Sequence, residues 1–80
     1  MRLDKFLKVS RIIKRRTLAK DFADSERVSI NGRVAKPSAE VKKGDIITVQ
    51  VGGKKTSYEV LEVKENVKTA EAKNMYRIVE

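Results

Sequence analysis

Apolar residues recur at helical spacing over the first quarter of the chain and then switch to alternation. Leu3, Phe6 and Leu7 fall at i, i+3 and i+4, which is one face of a helix. Arg2, Lys5 and Lys8 surround that face on the water side, and the bases continue at Arg11 and Lys14, a step of three. With 3.6 residues per turn, a step of three drifts by about 60° per repeat. Five such bases on one straight helix would spiral into the apolar face. The pattern therefore predicts a break near Ser10 or Arg11, and a second helix from around Arg15 to Thr17 to about Asp24. Leu18 and Phe22, with Ala19 beside them, are expected on its inner face; Lys20, Asp21 and Asp24 are expected on its outer one. Thr17 is the candidate N-cap, and Ala19 and Ala23 are small enough for close helix packing.

From Arg27 onward the period is two. Val28 and Ile30 alternate with Arg27 and Ser29, and Asn31-Gly32 follows, the dipeptide of a type I′ hairpin turn. Arg33 to Ala35 forms the return strand, ended by Pro37, which cannot donate to a ladder. Ser38 to Lys43 reads as a loop leading into the polar turn Lys43-Gly44-Asp45. Ile46 to Val51 is β-branched and reads as a buried strand; Gly52-Gly53 turns it into a strand lined by Tyr58, Val60 and Val63. A short helix is expected around Thr69 to Ala72 and a last strand at Tyr76 to Val79. The fold class is thus α+β, with two N-terminal helices packed on a small, mostly antiparallel sheet. With no repeat, low-complexity tract or linker, residues 1–80 are expected to form one domain.

Charge changes this picture more than composition does. Eight of the 19 Lys and Arg lie in the first twenty residues, opposed there only by Asp4, for a net of about +7. The other sixty residues hold eleven bases and ten acids, so the formal +8 is an N-terminal property. Such a polarised field suits a polyanionic partner, most simply nucleic acid. The chain has no cysteine and no histidine. Disulfides and thiolate metal sites are excluded, as are the commonest metal ligand and the usual general base near neutral pH. A non-enzymatic protein without metal or cofactor is expected. No apolar run approaches the ~20 residues of a membrane span, and the basic N-terminus has no signal-peptide core; the expected location is cytoplasmic. A basic amphipathic segment also suits an anionic membrane surface, a reading disfavoured because the strands continue from it as one fold.

The order Arg2-Leu3-Asp4-Lys5-Phe6-Leu7, Arg16 with Ala19, Val28-Ser29-Ile30-Asn31-Gly32, Pro37-Ser38 and Lys43-Gly44-Asp45-Ile46 resembles a known family. It is the small RNA-binding domain named after small-subunit ribosomal protein S-four, also called the alpha-L motif. The resemblance covers residues 2–51, with 52–80 as a C-terminal strand extension. Among free-standing members, the length, the run from Arg2 to Arg11, the Lys14 to Lys20 segment and Asn74-Met75-Tyr76 resemble a short ribosome quality-control type more than the heat-shock protein fifteen type. That resemblance implies binding to rRNA of the large ribosomal subunit and to a retained peptidyl-tRNA, assisting C-terminal tailing of the stalled chain together with a tailing factor. A subunit-recycling role of the heat-shock protein fifteen type stays open, as does a DNA-binding helix-turn-helix, which the hairpins disfavour. A monomer is expected. Two positions depart from the family pattern: Glu26 stands where glycine usually follows the second helix, and Arg15 where serine usually precedes it.

The candidate RNA-binding residues are Arg2, Lys5, Arg11, Lys14, Arg15, Arg16, Lys20 and Arg33. Arg2 and Arg16 lead, because they match the family's motif and a guanidinium forks onto phosphate; Lys8 reads equally as a contact or as plain surface. Asp4 is expected to orient Arg16 or Arg15, and Arg2 with Arg16, rather than touch RNA. Phe6 and Phe22 read as core, and Tyr58 and Tyr76 as packing. Without exposed aromatics for base stacking, recognition of structured RNA by shape and backbone is favoured over single-strand reading.

Overall fold

The chain leaves its first helix at Arg11, where the step-of-three pattern requires a break. In the computed structural model, which describes residues 1–79, α1 spans Leu3–Val9. Ser10 caps it, and Arg11 takes φ +63° in the left-handed region. The Arg11 N–H donates to the Lys8 carbonyl and that of Ile13 to Leu7, both at 3.1 Å, so the chain turns while satisfying the helix end. The second helix, α2, spans Arg16–Asp24.

Two expectations for α2 are corrected. Its N-cap is Arg15, extended and without a side-chain capping bond, and Thr17 lies one residue inside the helix. Leu18 is 44% exposed, while Ala19 and Ala23 are buried and Phe22 only partly so. The small pair at i, i+4 faces the core because two alanines let α2 approach α1 closely; this rotation leaves Leu18 on the flank.

Glu26 adopts the conformation that glycine would take there, φ +61°. Its N–H donates to Ala23 and that of Arg27 to Phe22, both at 3.0 Å, the paired bonds of a Schellman helix end. The strands follow: β1 (Val28–Ile30), β2 (Arg33–Val34), β3 (Ile46–Val51), β4 (Lys54–Val60) and β5 (Tyr76–Val79), with a one-turn helix α3 (Thr69–Ala72) and a 3₁₀ turn (Lys73–Met75) before the last. They form one sheet in the order β2-β1-β3-β4-β5, every pairing antiparallel. Asn31 and Gly32 both have positive φ (+53° and +84°) between the paired Ile30 and Arg33, as a type I′ turn demands. Val63 lies beyond β4 and is exposed.

One sheet face carries Val28, Ile47, Val49 and Val60 into a core shared with Leu3, Phe6, Leu7, Ile13, Ala19, Ala23 and Met75. The opposite face is polar, with the Thr48 and Ser57 hydroxyls 2.9 Å apart across β3 and β4. Leu3, Phe6 and Leu7 are fully buried. The expected inner face of α1 and the alternation along β3 are therefore realised. The entry to α1 is also bolted down. The Leu3 and Asp4 N–H groups donate to the Ala39 and Pro37 carbonyls at 2.8 and 3.1 Å, and Val41 donates to Met1 at 2.8 Å.

Candidate nucleic-acid interface

Those backbone bonds place Asp4 in the first turn of α1 with its side chain almost wholly enclosed, 4% exposed. A buried carboxylate must be paired and hydrogen-bonded, and three groups converge on it. Arg2 donates through Nε to Oδ1 at 3.2 Å and through Nη2 to Oδ2 at 3.3 Å, a two-pronged fork. The Lys5 backbone N–H donates to Oδ1 at 2.7 Å. Arg16, the first residue of α2, reaches Oδ1 with Nη2 at 3.5 Å. Burial acts to raise the Asp4 pKa. The Arg2 hydrogen bond, the Lys5 amide and the Arg16 and Arg2 charges outweigh it, and the carboxyl is held below its ordinary value.

Arg2 and Arg16 are themselves about half exposed. One buried anion thus fixes one end of two guanidinium groups and leaves their remaining N–H donors facing solvent, an arrangement suited to phosphate. The carboxylate pairs Arg16 with Arg2; the expected alternative, Arg15, is absent from its contacts.

The other candidates divide among distinct places. Arg2, Lys5 and Arg16 line one shallow groove with Ser38, Glu40 and Glu65, and Lys5 is tied to Glu65 at 3.3 Å. Arg2 and Lys20 share another with Lys36 and Ser38. Arg11 and Lys14 line a third with Lys8 and Lys68. Lys14 and Arg15 rim an apolar groove floored by Ile12, Phe22, Val49 and Tyr58. Arg33 lines none of these; it sits exposed on the edge strand β2.

Lys36 and Lys68 were not among the residues that the sequence pattern singles out. Their contribution depends on how the loops after β2 and β4 fold back, and only their charge hinted at it. The aromatic residues behave as packing groups: Phe6 is fully buried, the Arg27 guanidinium lies 5.6 Å from the Phe22 ring centre, and Tyr58 and Tyr76 make an edge-to-face pair at 5.2 Å. Among the described residues no cluster of His, Cys, Asp or Glu is arranged to hold a metal ion, and no helix is long and apolar enough to cross a membrane.

Residues 1–47, which contain α1, α2 and the Asp4 cluster, match the S4 domain. The RQC P-site tRNA stabilizing factor of Bacillus subtilis (strain 168) is 60% identical over 79 residues, covering 99% of this chain and 92% of that protein. The chain belongs to the S4-domain family, among the RQC P-site tRNA stabilizing factors. A relative of the same name from Halalkalibacterium halodurans is 50% identical over 98% of this chain and 89% of its own length. Among solved structures, the trimeric heat shock protein 15 of Vibrio cholerae superposes with a TM-score of 0.89 at 32% identity, covering 99% of this chain and 81% of that one. The S4 match stops in β3, so β4, β5 and the 61–75 segment are an extension outside that match, built onto the same sheet.

Proposed function

We propose that the protein is a non-catalytic RNA-binding factor of ribosome quality control. It associates with the large ribosomal subunit, contacts rRNA and steadies the P-site peptidyl-tRNA while the stalled nascent chain receives its C-terminal tail. The observation that carries the RNA reading is the Asp4 cluster: a buried carboxylate that holds two half-exposed arginines, one from the extended residue before α1 and one from the first turn of α2, at one patch. The near full-length likeness to tRNA stabilizing factors supports the tRNA half. The basic candidates then divide into roles. Arg2 and Arg16 take phosphates directly, Asp4 orients them, and Lys5, Arg11, Lys14, Arg15 and Lys20 add sequence-independent attraction, with Arg33 contacting RNA from the hairpin edge.

The test is co-sedimentation with large subunits bearing peptidyl-tRNA, in competition with random duplex DNA. Arg2→Ala and Arg16→Ala are each expected to abolish or strongly weaken association while the circular dichroism melt stays cooperative. Unchanged association of both variants, or equal competition by duplex DNA, would overturn the assignment. The likeness to heat shock protein 15 favours one other reading, rescue of the subunit without tailing. Loss of tails on a stalled reporter in cells lacking the protein separates the two, since a rescue factor would leave tailing intact.

A further inference from the structure

We propose that a second basic groove, formed by Lys8, Arg11, Lys14 and Lys68, holds the sugar-phosphate backbone of an RNA segment separate from the one on Arg2 and Arg16. The inference rests on the RNA-binding reading and assigns a role to Lys8 and to the C-terminal extension. The groove has a volume of about 440 Å³ and lies between the end of α1 and residues 65–68. Lys8 comes from the last turn of α1, Arg11 from the left-handed residue that breaks the helix, Lys14 from the connector and Lys68 from the residue capping α3. Among the described residues none of these four cations belongs to an ion pair.

The Lys68 side is held in place rather than trailing. The Leu61 and Glu62 N–H groups both donate to the Met75 carbonyl, at 2.8 and 3.2 Å, and Val67 packs against the core beneath the groove. Backbone geometry at Arg11 adds an independent sign. A left-handed residue after a helix is most easily glycine, yet this position carries a guanidinium that lines the groove. A costly conformation kept at a charged side chain is a mark of use.

Glu65 separates the two sites. It lines this groove and also the groove of Arg2, Lys5 and Arg16, and it is bound to Lys5 across the ridge at 3.3 Å. A phosphate chain running straight from one groove to the other would cross that carboxylate. Two segments, one on each side, avoid the repulsion.

The experiment measures binding of the full chain to bulk tRNA and to purified large subunits over a salt series. Lys8→Ala with Lys68→Ala should lower the slope of log affinity against log salt by about two, independent of sequence, and Arg11→Gly by about one. Arg11→Gly should also melt no lower than wild type, because glycine relaxes the left-handed position, so its loss of binding cannot be a loss of folding. Losses from this groove should add to that of Arg16→Ala, as for independent sites. A slope unchanged in the Lys8/Lys68 and Arg11 variants but lowered by Arg16→Ala would overturn the second groove and leave RNA binding standing. A slope lowered by none of them would overturn the RNA reading itself. Strongly non-additive losses would merge the grooves and overturn the two-segment claim.

Discussion

Replacing Asp4 by Asn removes one charge and almost no volume from the centre of the candidate interface. Asn still accepts from the Lys5 amide, but the Arg2 fork and the Arg16 contact lose their countercharge. A hydrogen bond to a charged group is worth about 1.5–3 kcal/mol when well enclosed. Here both guanidinium groups are about half in water, which returns most of that energy to the solvated state. Asn also avoids the cost of keeping an ion in a buried place. The net loss is about 1 kcal/mol, or roughly 4–8 °C in Tm for a domain of this size.

The pH dependence carries the sharper signature. Asp4 has its folded pKa depressed, so its contribution is present above the ordinary Asp value near 3.8 and is lost as pH falls through the lowered folded value. The stability gap between wild type and Asp4→Asn is therefore full at neutral pH and closes in acid below that value. Freed from the carboxylate, the two arginines must be ordered by RNA at a cost of about 0.5–1.5 kcal/mol each. Affinity for tRNA should fall about tenfold, since 1.4 kcal/mol is a decade. Urea titrations from neutral pH into the acid limb, with tRNA binding at neutral pH, measure both. A gap that stays constant or widens in acid would refute the charge argument; wild-type affinity in the variant would refute the orienting role.

Other expectations follow from individual contacts. Glu26→Gly should raise stability by about 0.5–1 kcal/mol in urea denaturation, because glycine fits φ +61° without a Cβ clash; a lowered midpoint would contradict the strain at that helix end. Leu7→Ala empties a fully buried position at a cost of about 2–5 kcal/mol, enough to leave a small domain largely unfolded by circular dichroism at 37 °C. Asn31→Ala removes the bond from Asn31 Nδ2 to Asp45 Oδ1 at 3.1 Å, the bond from the Ile46 N–H to Asn31 Oδ1 at 2.9 Å, and a side chain that tolerates left-handed φ. It should cost about 1–2 kcal/mol, and an unchanged melt would show that these exposed bonds contribute nothing.

Much of the fold was legible because local rules and tertiary demands agree. The step of three from Lys8 to Lys14 cannot stay on one helix face, and the chain breaks at Arg11. Asn31-Gly32 needs two positive φ angles, and both occur. Ile46–Val51 and Tyr76–Val79 form strands with the expected bounds. Packing, not local pattern, chose the inner face of α2. A hydrophobic tally favours Leu18, whereas close approach of two short helices favours the smaller Ala19 and Ala23, so α2 turns Leu18 outward. In the candidate site, the involvement of Arg16 with Asp4 spans twelve residues and was anticipated only through a family likeness. The Arg2 fork on Asp4 was expected with the contact of Arg16; the backbone bonds from Leu3 and Asp4 to Ala39 and Pro37 that fix its setting are revealed by no local pattern. The approach of Glu65 and Lys68 to α1 is likewise a property of the folded loop.

In the proposed function the N-terminal helical pair is the RNA-facing surface, and Asp4 aims Arg2 and Arg16 into it. A density map of the protein purified with its ribosomal particles tests this most directly. The expected map shows α1 and α2 against RNA on the large subunit, with both guanidinium groups on phosphates and still bonded to Asp4. A particle in which that surface faces solvent, or in which only the β5 edge touches RNA, would contradict it.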